Sequence, residues 1–176
     1  MIGNSRALGV AVAMSLVAGC SLFDRTGDPG TSPSENREVD AVSVRFHLAT
    51  GEDTPDYTPR EDEAGQPLFV APRAFLTDAD VWHAEVLTGE RGNLVLLELT
   101  EMGKSSLEWL TQRHVGGRLA VFINGELVMS PWIRAPLTGG RVYLNGEFSK
   151  RRAERIAEAL NMQRAARSPI LSGHSR

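Results

Sequence analysis

Hydrophobic and polar positions fall into three regimes along this chain. Residues 7–18 form an uncharged apolar run behind a short start that carries Arg6. Residues 21–40 have no apolar period and hold Gly27, Pro29, Gly30, Ser32, Pro33 and Ser34 among charges. From about residue 42 a regular alternation begins. Val42, Val44 and Phe46 alternate with Ser43, Arg45 and His47, which predicts a half-buried strand. Residues 50–66 read as a polar acidic loop, residues 68–70 as a short apolar patch, and residues 76–81 as a turn or single helical turn opened by Thr77 or Asp78. Residues 82–87 predict a strand. Residues 93–100 form a stronger one whose near-continuous apolar run predicts a central position in a sheet.

Thr100 then caps a helix, with Glu101 in the first turn, where the helix dipole favours an anion. Leu107 and Leu110 form its apolar stripe, helped by Trp109 or Val115, and Gly116-Gly117 stops it. Leu119, Val121 and Ile123 lead to Asn124-Gly125, a strong signal for a type I′ hairpin. The return strand covers residues 126–130 and ends at Pro131. Gly139-Gly140 turns the chain into a short strand over residues 141–144, and Asn145-Gly146 reads as another turn. Ser149 caps a last helix in which Ala153, Ile156, Ala157 and Leu160 recur at i, i+3, i+4 and i+7. The expected fold is α+β: a two-layer sandwich of mostly antiparallel sheet with both helices on one face. The predicted organisation is a leader over 1–20, a tether over 21–40, a domain over 41–161 and a disordered tail over 162–176.

Composition narrows the class. The 176 residues suffice for one ordinary domain, and 41% hydrophobic and 23% charged residues are globular values. A net charge of -3 points to no nucleic-acid partner. The apolar run at 7–18 falls short of the roughly 20 residues that span a bilayer, and fits a secretory leader. It ends in Val17-Ala18-Gly19-Cys20, which resembles the lipobox of bacterial lipoproteins. That resemblance implies cleavage before Cys20 and attachment of a diacylglyceryl group and an amide-linked, palmitate-type acyl chain there. Two or more acyl chains anchor stably, at about 0.8 kcal/mol per buried CH2. Ser21 replaces the aspartate that usually retains such proteins at the inner membrane, so the expected place is a periplasm-facing surface, outer membrane rather than inner. Cys20 is the sole cysteine, and once acylated it leaves neither disulfides nor thiol catalysis. The tether would reach about 25 Å as a flexible coil.

A second resemblance covers about half the chain. Leu76-Thr77-Asp78-Ala79-Asp80-Val81, then Leu97-Glu98-Leu99-Thr100-Glu101-Met102-Gly103, then Gly117-Arg118-Leu119-Ala120 stand in order. They are followed by Asn124-Gly125-Glu126-Leu127-Val128-Met129-Ser130-Pro131, Gly139-Gly140, Gly146-Glu147-Phe148-Ser149 and Ala153-Glu154-Arg155-Ile156-Ala157 with Leu160. This ordered set resembles the periplasmic P1 head subdomain of SecD, a subunit of the bacterial SecDF export machinery. The resemblance implies structural roles for Thr100, Gly103, Asn124, Gly125, Pro131, Gly139, Gly140 and Gly146. It also implies a surface that meets extended polypeptide. Two departures stand out. Lys150, Arg151 and Arg152 occupy the first turn of the last helix, where each opposes the dipole by a few tenths of a kcal/mol; an acidic partner or lipid head groups would explain them. After the leader there is no apolar span of 18 residues, so the ion-coupled work of SecD is not expected.

Candidate chemistry is sparse. His47, His83, His114 and His174 show no paired metal spacing, and His47 and His83 sit at polar strand phases that predict solvent-facing rings. Glu52, Asp53, Asp56, Glu61, Asp62 and Glu63 lack the ligand spacing of a calcium loop. No catalytic residue, metal or cofactor is expected. The binding candidates are Trp132 and Arg134, flanked by Met129, because Trp and Arg dominate binding hot spots; the competing reading makes Trp132 a cap on the core edge. The functional readings are a noncatalytic envelope module that binds polypeptide or another envelope protein, a hydrolase with an unrecognised site, or a structural spacer.

Overall fold

The computed structural model describes residues 41–89 and 92–168. Cys20, the leader and the tether lie outside them. Eight strands and two helices run in the order β1 (Val44–Thr50), β2 (Thr58–Glu61), β3 (Pro67–Thr77), a 3-10 turn (Asp78–Asp80), β4 (Val81–Gly89), β5 (Gly92–Leu99), α1 (Glu101–Arg113), β6 (Arg118–Ile123), β7 (Glu126–Met129), β8 (Arg141–Phe148) and α2 (Lys150–Arg167). The class is α+β as expected, and every strand pair is antiparallel. The strands form two sheets rather than one, in the orders β2-β3-β1-β6-β7 and β4-β5-β8. As the apolar run predicts, β5 is the centre of the smaller sheet.

One core lies between these layers. Phe46, Leu76, Leu97, Leu107 and Leu144 are fully buried in it, with Ile156 and Leu160 brought in from α2. Each such side chain contributes on the order of 1.5–3 kcal/mol by leaving water. A second cluster of Ala49, Leu68, Val70 and Ala120 sits on the other face of the larger sheet, with Phe122 and Leu127 half-buried beside it. Successive strand residues point to opposite faces, so β6 sends Leu119, Val121 and Ile123 to the main core and Ala120 to the second cluster.

Several expectations are corrected. The acidic loop contains β2, and the apolar patch at 68–70 belongs to an eleven-residue β3. Pro72 conceals that strand in the sequence. It lies where the β1–β3 register slips between His47↔Ala74 and Ala49↔Val70, a place that needs no ladder N–H. Asn145-Gly146 does not turn the chain: β8 runs through it, and the irregularity appears as a bulge opposite β5 between Asn93 and Val95. Asn124-Gly125 does form the expected hairpin, with φ of 51° and 82°. Trp109 and Val115 do not support the buried stripe of α1; both are exposed, and Gly103, Leu107, Leu110 and Thr111 face the core. His47 is half-buried, with Nδ1 2.8 Å from the Ala71 carbonyl and its ring edge-on to Phe122. Finally, α2 continues to Arg167, through residues assigned to a tail. Tertiary contacts hold the extra turns: Gln163 accepts the Val42 N–H at 3.0 Å, and Arg167 pairs with Asp78.

Candidate functional site

Three of the segments quoted for the family resemblance, 76–81, 97–103 and 139–140, meet in space. Thr77 and Asp80 close a capping box around the 3-10 turn, with the Thr77 N–H donating to Asp80 Oδ2 at 2.9 Å. The Asp80 carbonyl accepts the Thr100 N–H at 2.8 Å, and the Thr100 hydroxyl in turn caps α1 at the Gly103 N–H, 3.1 Å away. Gly103 lies so close to this turn that a Cβ there would stand 3.0 Å from the Asp80 carbonyl oxygen. The Gly140 carbonyl accepts from Leu99 N–H, joining the Gly139-Gly140 turn to the same junction. Gly146 passes over the Phe148 ring, where a Cβ would stand 2.6 Å from Cζ. These residues shape the frame, and the Asp80 carboxylate and the Thr77 and Thr100 hydroxyls are engaged in capping bonds.

The surface worth weighing lies at the end of the β6–β7 hairpin. Past β7, residues 131–133 continue alongside the start of β6. Leu119 N–H donates to the Pro131 carbonyl at 2.9 Å, and Ile133 N–H donates to the Gly117 carbonyl at 2.8 Å. Arg118 and Trp132 stand opposite each other between those two bonds. Trp132 is 56% exposed, so it does not cap the core edge, whereas Ile133 is buried beneath it. Val115, Gly116, Trp132, Ile133 and Arg134 line an open depression of about 510 Å³. The structure therefore brings Trp132 and Arg134 together. Met129 is not part of that surface; it is half-buried and packs against the main core.

Arg118, quoted above only as part of the segment Gly117-Arg118-Leu119-Ala120, organises the underside of this surface. Its side chain is nearly buried, its Nε donates to the Ser130 carbonyl at 2.8 Å and its Nη2 to Ser130 Oγ at 2.6 Å. Nη1 meets Asp62 Oδ2 at 2.9 Å, and Ser130 Oγ donates to Glu63 Oε2 at 2.6 Å. The guanidinium carbon lies 5.4 Å from the Trp132 ring centroid. Asp62 also accepts N–H groups from Gln66 and Ala64. The Gln66 N–H, followed by Arg118, holds the Asp62 carboxyl below its ordinary pKa. Asp62 of the acidic loop thus binds an arginine 56 residues away in sequence, and Glu63 joins the network through Ser130.

Exposure of an indole does not by itself single out Trp132. All three tryptophans are more than half exposed, and each carries an arginine over its ring: Arg164 on Trp82, Arg113 on Trp109 and Arg118 on Trp132. Trp82 likewise stands on an edge strand, β4, and Trp109 lies on α1, whereas Trp132 borders the open depression. Two of the three basic residues in the first turn of α2 find partners within the chain. Arg152 pairs with Glu126 at 2.6 Å and lies over Phe148, and Lys150 stands 3.9 Å from Glu154. Among the described residues, no helix is long and apolar enough to cross a membrane.

The geometry agrees with the comparisons to known proteins. The family model for the SecDF P1 head subdomain matches residues 52–163. The protein translocase subunit SecDF of Thermus thermophilus is 31% identical over 102 residues, covering 57% of this chain and 13% of its own length. The translocase subunit SecD of Endomicrobium trichonymphae is 29% identical over 113 residues, covering 62% of this chain and 23% of its own. The chain spans between 13% and 23% of the curated relatives it matches. A solved structure of a membrane component SecDF that enhances protein export superposes with a TM-score of 0.58 at 22% identity, covering 77% of this chain and 71% of that one. A crystal structure of SecDF in a super-membrane-facing form gives a TM-score of 0.55 over 68% of this chain and 18% of that one. With the family model matched over more than half its length, this chain belongs to the SecDF P1 head subdomain family.

Proposed function

We propose that this chain is a noncatalytic polypeptide-binding module of the cell envelope, linked to protein export or envelope assembly and held at a membrane through lipid on Cys20. The observation that carries the reading is the exposed Trp132 beside an open depression, on a backbone fixed by two ladder bonds and a buried arginine. An aromatic ring held rigidly at the surface loses little entropy on binding, which is why such rings dominate hot spots. Family membership supports the reading, since relatives of this chain are named as translocase subunits. The lipobox-like Val17-Ala18-Gly19-Cys20 supports the anchor, and Ser21 in place of an aspartate supports the outer-membrane placement.

The test is binding of a reduced, carboxymethylated unfolded protein to the purified chain, with Trp132→Ala as the control. Saturable binding that weakens about tenfold or more in the variant is expected for a hot-spot aromatic. Absence of binding, together with turnover of a generic ester, phosphate or peptide substrate, overturns the reading in favour of a hydrolase. Mass spectrometry of the membrane-extracted protein tests the anchor, which requires an acylated Cys20 at the N-terminus.

A further inference from the structure

The bonds around Trp132 decide where its own backbone points. In an antiparallel ladder, opposed residues alternate between pairs that exchange two N–H···O bonds and pairs that exchange none. Arg118 and Trp132 are a pair of the second kind, because the bonds on either side belong to Leu119–Pro131 and Gly117–Ile133. The Trp132 N–H and C=O therefore point away from β6, toward the open side of the sheet. Neither has a backbone partner among the described residues. On the same stretch Arg134 is exposed, and among the described residues no carboxylate lies within 4.0 Å of it.

Two other edges, those of β4 and β2, are closed in ways this one is not. Asn161 caps both the N–H and C=O of Ala84 on the outer side of β4. The outer strand β2 is four residues long and contains Pro59, which donates no N–H.

We infer that the Trp132–Arg134 edge receives an extended polypeptide by strand addition: the ligand's backbone pairs with the Trp132 N–H and C=O, an apolar side chain packs on the exposed Trp132 ring, and an acidic side chain of the same strand face meets Arg134. Main-chain bonds supply affinity that does not depend on sequence, and the indole and the cation supply a preference for alternating apolar and acidic residues. The inference rests on the polypeptide-binding reading above and adds the binding mode and the ligand's pattern.

A fluorescein-labelled, end-blocked peptide Thr-Leu-Thr-Glu-Thr-Thr is the probe, titrated by anisotropy against the full chain. Two analogues carry N-methyl groups at alternate amides, one in each of the two strand registers. Because a strand offers its N–H groups alternately to its two edges, methylation in one register should weaken binding by about tenfold or more while the other register leaves it largely intact. Replacing the peptide's Glu by Lys should weaken binding to the native chain a few-fold, and Arg134→Glu should reverse that preference. Trp132→Ala, at an exposed position, keeps the backbone bonds and isolates the contribution of the ring; circular dichroism checks its fold. No peptide binding, equal effects of both methylated registers, or indifference to Arg134→Glu overturns the strand-addition mode. If the unfolded protein still binds in those cases, the polypeptide-binding reading stands and only the mode is lost.

Discussion

Arg118 faces Trp132 directly across two neighbouring segments, with its guanidinium under the indole and its nitrogens committed to Ser130 and Asp62. The exposed ring thus stands on a buried polar network, which couples the position of Trp132 to the acidic loop. Arg118→Met keeps the aliphatic stem and removes the donors, leaving the Ser130 carbonyl and hydroxyl short of partners. A loss of about 1–3 kcal/mol is expected from those stranded groups, read as a lower urea midpoint at unchanged slope. Arg141→Ala is the contrast. Its pair with Glu98 is well exposed, and its removal should change stability by less than about 1 kcal/mol. Equal effects of the two substitutions would remove the special role given to Arg118.

The same network sets a pH dependence. The folded-state pKa of Asp62 lies below its ordinary value, so just below that value the unfolded chain binds more protons than the folded one. Stability from Asp62 is therefore fully present above the ordinary carboxylate pKa of about 4 and is lost as pH falls through the depressed value. Asp62→Asn should be less stable than the native chain at neutral pH, with a gap that narrows as the pH is lowered past about 4. Urea midpoints for both proteins across that range provide the measurement, and a gap that stays constant to the acid limit counts against the assignment.

Local signals made the helices and the Asn124-Gly125 hairpin legible, because caps, periodicity and turn residues lie within a few positions of what they specify. The errors share a cause in distant partners. Asn145-Gly146 carries the same local preference as Asn124-Gly125, yet β5 pairs with β8 on both sides of it and turns the pair into a bulge. Trp109 has the composition of a core residue, but Leu107 and Leu110 already point at the core and leave it on the outer face. Of the candidate site, Trp132 and Arg134 were visible as hot-spot types. Arg118 was not, since nothing near it in sequence announces Asp62 or Glu63.

Gly103 offers a test of the junction between the two motif segments. In an isolated helix, alanine is favoured over glycine by about 1 kcal/mol. Here a Cβ would meet both the Cβ and the carbonyl oxygen of Asp80 at 3.0 Å, and Leu99 Cβ at 3.3 Å. The carbonyl accepts the Thr100 N–H, so it cannot retreat without weakening the start of α1. Overpacking of this kind costs about 1–3 kcal/mol, more than the helical gain. Gly103→Ala should lower the melting temperature, and an increase would show that the 3-10 turn yields easily.

Asn161 carries the last prediction, which concerns how far the folded domain extends. Its side-chain oxygen accepts the Ala84 N–H at 2.9 Å and its amide donates to the Ala84 carbonyl at 2.8 Å, so one side chain stands where a neighbouring strand would. Removing it as Asn161→Ala loses two hydrogen bonds, about 1–2 kcal/mol in all. It also bares the outer side of β4, an edge other chains can pair with. Both a lower urea midpoint and increased light scattering on prolonged incubation are therefore expected. A chain cut after Asn161 tests the remaining turns of α2 separately. It keeps the Ala84 cap but loses the Gln163–Val42 and Arg167–Asp78 contacts, so it should be less stable than the native chain while scattering no more. Stability unchanged by the cut would return residues 162–167 to the role of a dispensable tail.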